Sequence, residues 1–269
     1  MSEIVIISRG AKAQLDPIGA GFAHGYGIFE TIKYTESGLA FWPPHWKRFQ
    51  RSAKALGLDF YFDEKAVLAA IGQLIREDGL SVAMVKLSLL RNGPVTTLYV
   101  YARPMTSIPD SVELQLDVLH PINQHSPLSG HKTHNYMEHR LIFDSARKAG
   151  FYDTIRVDMD GSLAETTTGN LFFIYEGKLC TPALCHGILP GVVRSAVSDI
   201  CDTEEGSYAV ELLDKAEAVF MTNSAAGILP VSRIVGALST FEIESASHSY
   251  CKLLKASFEA AELEQSVRV

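Results

Sequence analysis

Cysteine is scarce in this chain: four residues in 269, at Cys180, Cys185, Cys201 and Cys251, with no C-x-x-C pair among them. A disulfide scaffold is thereby excluded, and the four read as reduced thiols in apolar, mostly core, surroundings. No stretch approaches the roughly 18 apolar residues that cross a bilayer. The opening MSEIVIISRG has an acid at Glu3 and an apolar run of strand length, unlike a secretory leader. A basic block is also missing, and 24 Lys and Arg against 31 Asp and Glu leave a net charge of -7. Nucleic acid and anionic membranes are therefore not expected partners. Internal repeats and low-complexity segments are absent as well. What remains is 47% hydrophobic, with 20 Gly and 11 Pro. That is the composition of a cytoplasmic globular protein, long enough for one large core or two smaller ones.

Apolar periodicity divides the first half into strands with two helices between them. Strands are expected over 3–8, 26–34, 82–90, 97–102 and 112–119, the second preceded by a loop rich in glycine. Pro43 and Pro44 open a helix that ends at Gly57, because proline at a first helical position lacks only an N–H that would be unpaired anyway. A second helix is expected over 63–78, with Val67, Leu68, Ile71, Leu74 and Ile75 at helical spacing. HPINQHSPLSG, 120–130, has two prolines and no apolar period, and reads as a domain boundary. Beyond it come a helix over 135–149 and strands over 154–157, 171–175 and 178–180, the last two joined by Glu176-Gly177 as a two-residue turn. A helix beginning at Pro190, a strand AVFMTN and a C-terminal helix over 241–260 complete the reading. The expectation is an α+β protein with a small N-terminal domain (1–119), an interdomain loop (120–131) and a larger, β-rich C-terminal domain (132–269), the site lying in the cleft between them.

Common site patterns fail on this sequence. The run Gly19-Ala20-Gly21-Phe22-Ala23-His24 lacks a third glycine and precedes a strand, so neither a dinucleotide fingerprint nor a P-loop is present. His134 and His139 are five apart, out of line for a helical zinc pair, and no metal is expected. No G-x-S-x-G elbow occurs. Lys86 interrupts the apolar strand VAMVKLSLL, either as a desolvated amine or as the solvent side of an alternating strand.

The informative series starts at Lys132. K-T-H-N-Y at 132–136 is followed by D-x-D-G-S-L-A-E-T-T-T-G-N-L-F at 158–172, L-P-G-V-V-R at 189–194 and M-T-N-S-A-A-G-I-L-P-V at 221–231. With the upstream G-Y-G-I-F-E-T-I-K and H-W-K-R-F-Q-R-S-A, this order and spacing resemble the fold-type IV pyridoxal-phosphate enzymes. These include branched-chain aminotransferases, D-amino-acid aminotransferases and aminodeoxychorismate lyase. The resemblance spans about 21–231 and implies the two-domain D-amino-acid-aminotransferase-like fold, pyridoxal 5'-phosphate as cofactor and a homodimer. Lys132 is then the lysine that carries the cofactor and shuttles protons, since such a cofactor needs one amine able to be neutral in a shielded site. Glu165 matches the acid beside the pyridine nitrogen. Gly191, Val192 and Val193 match the phosphate-binding helix start, whose dipole favours an anion. Arg48 matches the phosphate's cation in the H-x-x-R pattern, and Ser224 a further phosphate hydroxyl, with Asn223 a weaker match beside it. Tyr136 matches a tyrosine that some members place against the ring's phenolic oxygen. Asn170 either closes the turn after TTTG or touches substrate. Val193 departs from the threonine common in aminotransferases, so a side-chain phosphate bond is lost while the amides remain.

The machinery is shared between transamination and lyase chemistry, and the choice rests on the remainder. Arg91-Asn92-Gly93-Pro94 lacks the R-x-H pair of D-amino-acid aminotransferases, and T-H-N-Y replaces the G-G-N-Y of branched-chain enzymes. The short chain, the K-x-x-N spacing, the asparagine of M-T-N-S, and Lys86 followed by Arg91 fit the lyase better. That reading expects release of pyruvate from 4-amino-4-deoxychorismate to give 4-aminobenzoate for folate synthesis, with Thr31 assisting proton delivery and Arg91 holding a carboxylate of a small-molecule substrate. An aminotransferase acting on branched-chain or D-amino acids is the alternative.

Overall fold

Strand alternation builds the first of two units in this computed structural model, which describes residues 3–10 and 15–269. The unit comprises Met1–Thr106, His131–Asn135 and Glu262–Val269. Its strands are β1 (Glu3–Ile7), β2 (Gly27–Thr35), β3 (Gly38–Ala40), β4 (Ala83–Asn92) and β5 (Val95–Pro104). They form a sheet in the order β1-β5-β4-β2-β3, closed at its edge by Ser266–Val267. One face carries Ile28, Ile32, Val85, Leu87, Leu89, Leu98 and Val100, all buried. A short helix α1 (Ala20–Ala23) lies in the glycine-rich loop, and α2 (Trp42–Ala55) and α3 (Glu64–Glu77) supply the partners of that face. Trp46 and Phe49 of α2 and Val67, Ile71 and Leu74 of α3 join the strand residues in one cluster, each contributing about 2 kcal/mol by leaving water. Asp63 caps α3 by accepting a hydrogen bond from Ala66 N at 3.1 Å. Gly27 is required where β2 crosses close to β4, since a Cβ there would meet the Leu89 carbonyl at 2.4 Å.

The second unit comprises Ser107–Gly130 and Tyr136–Ala261. Its strands are β6 (Val112–Ile122), β7 (Asp153–Asp158), β8 (Leu163–Thr166), β9 (Asn170–Tyr175), β10 (Lys178–Pro182), β11 (Thr203–Gly206), β12 (Ala218–Asn223), β13 (Gly227–Val235) and β14 (Thr240–Glu242). β8 pairs with both β7 and β9, so β9-β12-β13-β6-β7-β8 closes into a barrel, with β10 and β11 continuing from β9 and β14 lying beside β13. Leu114, Ile155, Leu163, Leu171, Met221 and Leu229 belong to its apolar cluster. Helices α4 (Met137–Lys148) and α5 (Val192–Ile200) belong to this unit, as does α6 (Ser249–Glu264) up to Ala261. The β9–β10 turn is the expected two-residue one, with Glu176 and Gly177 both at positive φ, 50° and 70°.

Several elements differ from the sequence expectation. The partition does not fall at 120: β6 is a barrel strand, and the buried guanidinium of Arg156 donates to the carbonyls of His120 and Pro121, anchoring the apparent linker to the second unit. Residues 131–135, in turn, belong to the first unit. The C-terminal helix starts at Ser249 instead of 241, because Phe241 pairs with Ile234 in β14 and Ser245 accepts a hydrogen bond from Val219 N. α5 starts at Val192, with Gly191 in extended conformation as its N-cap, two residues later than a proline at the first position implies. Cys185 is exposed; Cys180 and Cys251 are buried. No helix among the described residues is long and apolar enough to cross a membrane.

Candidate active site

Lys132 is held by main-chain bonds to β2. Phe29 N donates to Lys132 O at 2.8 Å, His134 N donates to Gly27 O at 2.9 Å, and Ile28 and Thr133 form a bridge. The backbone is thus fixed independently of the lysine side chain, whose Nζ stands 4.6 Å from the centre of the Phe29 ring. Thr31 and Phe29 share the sheet face opposite the apolar cluster, and Thr31 lies directly across from Lys86 on β4. Lys86 Nζ sits 4.1 Å from the same Phe29 ring centre, and the His134 ring is 5.3 Å from it. Burial and then the Lys86 charge push His134 down to about 4, so its imidazole is neutral at pH 7. The guanidinium of Arg91 lies 5.2 Å from the Tyr26 ring.

Arg48 sits on the buried side of the sheet, where period two also brings Glu30 in register with Ile28 and Ile32. Glu30 receives Arg48 Nε at 2.8 Å and Nη2 at 2.6 Å, and pairs with His45 Nδ1 at 2.7 Å. Burial alone would raise the Glu30 carboxyl, but the Arg48 charge and the hydrogen bonds from Arg48 and His45 outweigh it and hold it at about 2. Glu30 escaped the sequence reading, although an acid at a core-facing position of an alternating strand is itself a signal.

In the second unit Glu165 lies on β8 at the pair that closes the barrel, opposite Asn170. It is buried, which sets aside a surface role. Its Oε2 accepts from Asn170 Nδ2 at 2.9 Å and from Leu189 N at 3.1 Å, and Asn170 Nδ2 also donates to Leu189 O at 2.8 Å. Asn170 therefore ties the acid to the segment leading into α5 and does more than close a turn. The same side chain crowds Gly191: a Cβ at 191 would stand 2.0 Å from Asn170 Oδ1, so a larger residue there would displace Asn170. Gly191 brings no side-chain cap to α5, and Val192 and Val193 bury their side chains, so the helix offers amides at its positive end. Just upstream, His186 pairs with Asp158 at 2.6 Å and with Ser207 at 2.9 Å, fixing the start of the loop.

Tyr136 precedes α4 and donates its hydroxyl to Thr167 O at 2.9 Å. Burial and then the charges of Glu165 and Asp153 raise this phenol, which stays protonated. Asp153, fully buried, accepts from the amides and hydroxyls of Thr167 and Thr168 and so shapes the TTT turn. Sequence reasoning passed over it, because its partners lie on another strand connection. Asn223 accepts from Ala225 N at 3.0 Å and Ala226 N at 2.9 Å, a turn-forming role, with Ser224 inside that turn. A buried carboxylate and an uncapped helix start are the donor and acceptor set for a ligand with a protonated ring nitrogen and an anionic group, and the cradle at Gly191 leaves the amides approachable.

The sequence model of the Amino-transferase class IV family matches residues 27–234. The chain is 30% identical over 240 residues to the aminodeoxychorismate lyase of Vibrio harveyi, covering 81% of this chain and 87% of that protein. The branched-chain-amino-acid aminotransferase of Escherichia coli is 33% identical over 107 residues, 38% of this chain and 35% of that protein. Among solved structures, a Legionella pneumophila protein provisionally named a 4-amino-4-deoxychorismate lyase superposes with a TM-score of 0.87 at 26% identity, covering 96% of this chain and 99% of that one. With its matched segment running from β2 to β13 and taking in Lys132, Glu165 and Gly191, the chain belongs to the aminotransferase class IV family, of fold-type IV.

Proposed function

We propose that the chain is a pyridoxal-phosphate-dependent 4-amino-4-deoxychorismate lyase that releases pyruvate and leaves 4-aminobenzoate. The observation that carries this reading is the likeness to the Vibrio harveyi lyase, 30% identical along most of both chains, together with the Legionella pneumophila structure at 26% identity and a TM-score of 0.87. Bound pyridoxal phosphate supplies an electron sink for the pair left behind when a bond at the amine-bearing carbon breaks. Lys132 would hold the cofactor through Nζ, and its amine is the base that would take the proton from the amine-bearing ring carbon of the substrate. The enolpyruvyl group then leaves and is protonated at its methylene carbon to give pyruvate, while the ring becomes aromatic. In this reading Thr31 would relay that proton and Arg91 would receive a substrate carboxylate. Glu165, clamped by Asn170, would hold a proton on the pyridine nitrogen. Gly191, Val192 and Val193 would hold the phosphate by their amides, with Arg48 and Ser224 as its further partners and Tyr136 against the ring's phenolic oxygen.

The test is direct. Purified, cofactor-loaded protein given 4-amino-4-deoxychorismate is expected to release 4-aminobenzoate and pyruvate in equal amounts at catalytic rate. No product, together with conversion of the cofactor to its amine form by branched-chain or D-amino acids, makes the protein an aminotransferase instead. Gly191→Ala pushes Asn170 off both Glu165 and the helix start, and is expected to weaken pyridoxal-phosphate binding about tenfold or more, read by fluorescence titration.

A homodimer belongs to the same proposal. Leu119, Leu141 and Met137 are 80%, 61% and 74% exposed along the end of β6 and on α4, beside a groove of about 460 Å³ lined by Leu116, Ile142 and Phe151. Exposed apolar side chains of this kind, at a groove, are what a second copy of the chain would cover. Leu141→Glu is expected to convert the dimer to a monomer in light scattering.

A further inference from the structure

A second chain of hydrogen-bonded side chains lies in the second unit, and none of its members is among the residues assigned to cofactor or substrate. Asp158 ends β7, His186 ends a 3₁₀ turn over Leu184–His186 that follows β10, and Ser207 follows β11. His186 Nδ1 lies 2.6 Å from Asp158 Oδ2, and Ser207 Oγ lies 2.9 Å from His186 Nε2. Asp158 and His186 are buried, whereas Ser207 is exposed. Serine, imidazole and carboxylate joined in that order through the two ring nitrogens are the arrangement that turns a weak hydroxyl into a nucleophile, on whatever fold it occurs. We infer that Ser207 is a nucleophile, with His186 as its general base and Asp158 as the group that orients the imidazole, and that it accepts acyl or phosphonyl groups from activated esters. The inference goes beyond the lyase reading and does not depend on it.

The hydrogen bonds set where each proton sits. Asp158 Oδ1 accepts from the amides of Asp160 at 3.0 Å and Ser162 at 2.9 Å, which turns the carboxylate so that Oδ2 faces the ring. A carboxylate only accepts, so the neutral imidazole carries its proton on Nδ1 and presents a lone pair at Nε2. Ser207 then donates its Oγ–H to Nε2, the direction that general-base catalysis needs. The main chain around each member is pinned. Asp158 N donates to Ser162 O at 2.9 Å and His186 N to Ala183 O at 3.2 Å, while Gly206 O and Tyr208 O, on either side of Ser207, accept from Ala183 N at 2.9 Å and Leu163 N at 2.8 Å. In the reaction a bond forms from Ser207 Oγ to the carbonyl carbon or phosphorus, and the hydroxyl proton passes to His186 Nε2. The bond to the leaving group breaks, and that group departs with its electron pair, as fluoride from a fluorophosphonate or as an alkoxide or phenolate that takes the proton back. Because Ser207 is exposed, water serves the developing oxyanion, and the gain is that of the base alone, about 10²-fold over an unassisted serine.

The experiment is labelling of the full, cofactor-loaded chain with a fluorophosphonate, whose serine adduct is stable, with each peptide quantified over time by mass spectrometry. Ser207 is expected to label about 10²-fold faster than Ser247, an exposed serine whose hydroxyl donates to the Glu244 carbonyl. His186→Gln keeps a donor for Asp158 but has no basic nitrogen, and Asp158→Asn removes the acceptor that places the ring proton on Nδ1. Each is expected to bring Ser207 down to the Ser247 rate. Native Ser207 no faster than Ser247 overturns the inference, as does an unchanged rate in either variant, and the three residues would then be only a clamp on the loop before α5. The comparison within the native chain needs no substitution, so it decides the matter even where a variant fails to fold by circular dichroism. Failure of the lyase assay leaves the expected labelling of Ser207 untouched, so the two readings fall separately.

Discussion

Lys132→Ala is expected to fold normally and to lose covalent capture of pyridoxal phosphate. Borohydride reduction should fix about one cofactor per chain in the native protein and none above background in the variant, and the visible band of the lysine-bound cofactor should disappear. Turnover should fall by roughly 10³-fold to 10⁶-fold, the scale on which removing a covalent catalytic group acts. The fold is expected to survive because the contacts that fix this segment to β2 are main-chain bonds, from Phe29 N to Lys132 O and from His134 N to Gly27 O, which alanine preserves. Loss of the amine is then separated from loss of structure. Reductive trapping that persists in the variant would move the anchor elsewhere, and a labelled peptide containing Lys86 would identify that lysine, half-buried on the same ring, as the carrier.

Glu30→Ala should be the most destabilising single change considered. Arg48 and His45 are buried, and both direct nitrogens at this carboxylate. Removing the acid leaves a guanidinium without its counter-charge, a loss of about 3–5 kcal/mol, which for a chain of this size lowers the melting temperature by roughly 10 °C. Glu30 also predicts an acid profile. Its carboxyl is held at about 2 against an ordinary 4.5, so its stabilisation is complete above pH 4.5 and is lost as pH falls toward 2. The full loss is about 3 kcal/mol. His134, lowered from 6.5 to about 4, acts in a separate window: the unfolded chain takes up the proton first, so stability falls between pH 6.5 and 4. Chemical denaturation as a function of pH should therefore show the lower step vanish in Glu30→Ala while the upper one persists. An unchanged melting temperature in the variant would mean that the pair contributes nothing.

Local signals carried far in this chain. Helical spacing located α3, paired prolines located α2 within a residue, and Glu176-Gly177 marked a two-residue turn, because each depends on backbone preferences or on one amphipathic face. The ordered motifs around Lys132, Glu165 and Gly191 were enough for the family and fold, since residue type and order are read directly along the chain. Tertiary structure alone decided the rest. Closure of the barrel through Glu165 and Asn170, transfer of β6 to the second unit by Arg156, and clamping of the α5 entry by Asn170 all join residues whose partners lie far away in sequence or on other elements. Lys86 shows the limit most plainly: its position in an apolar strand is visible in the sequence, but its neighbour across the Phe29 ring comes from a segment more than forty residues away, and no local period encodes that meeting.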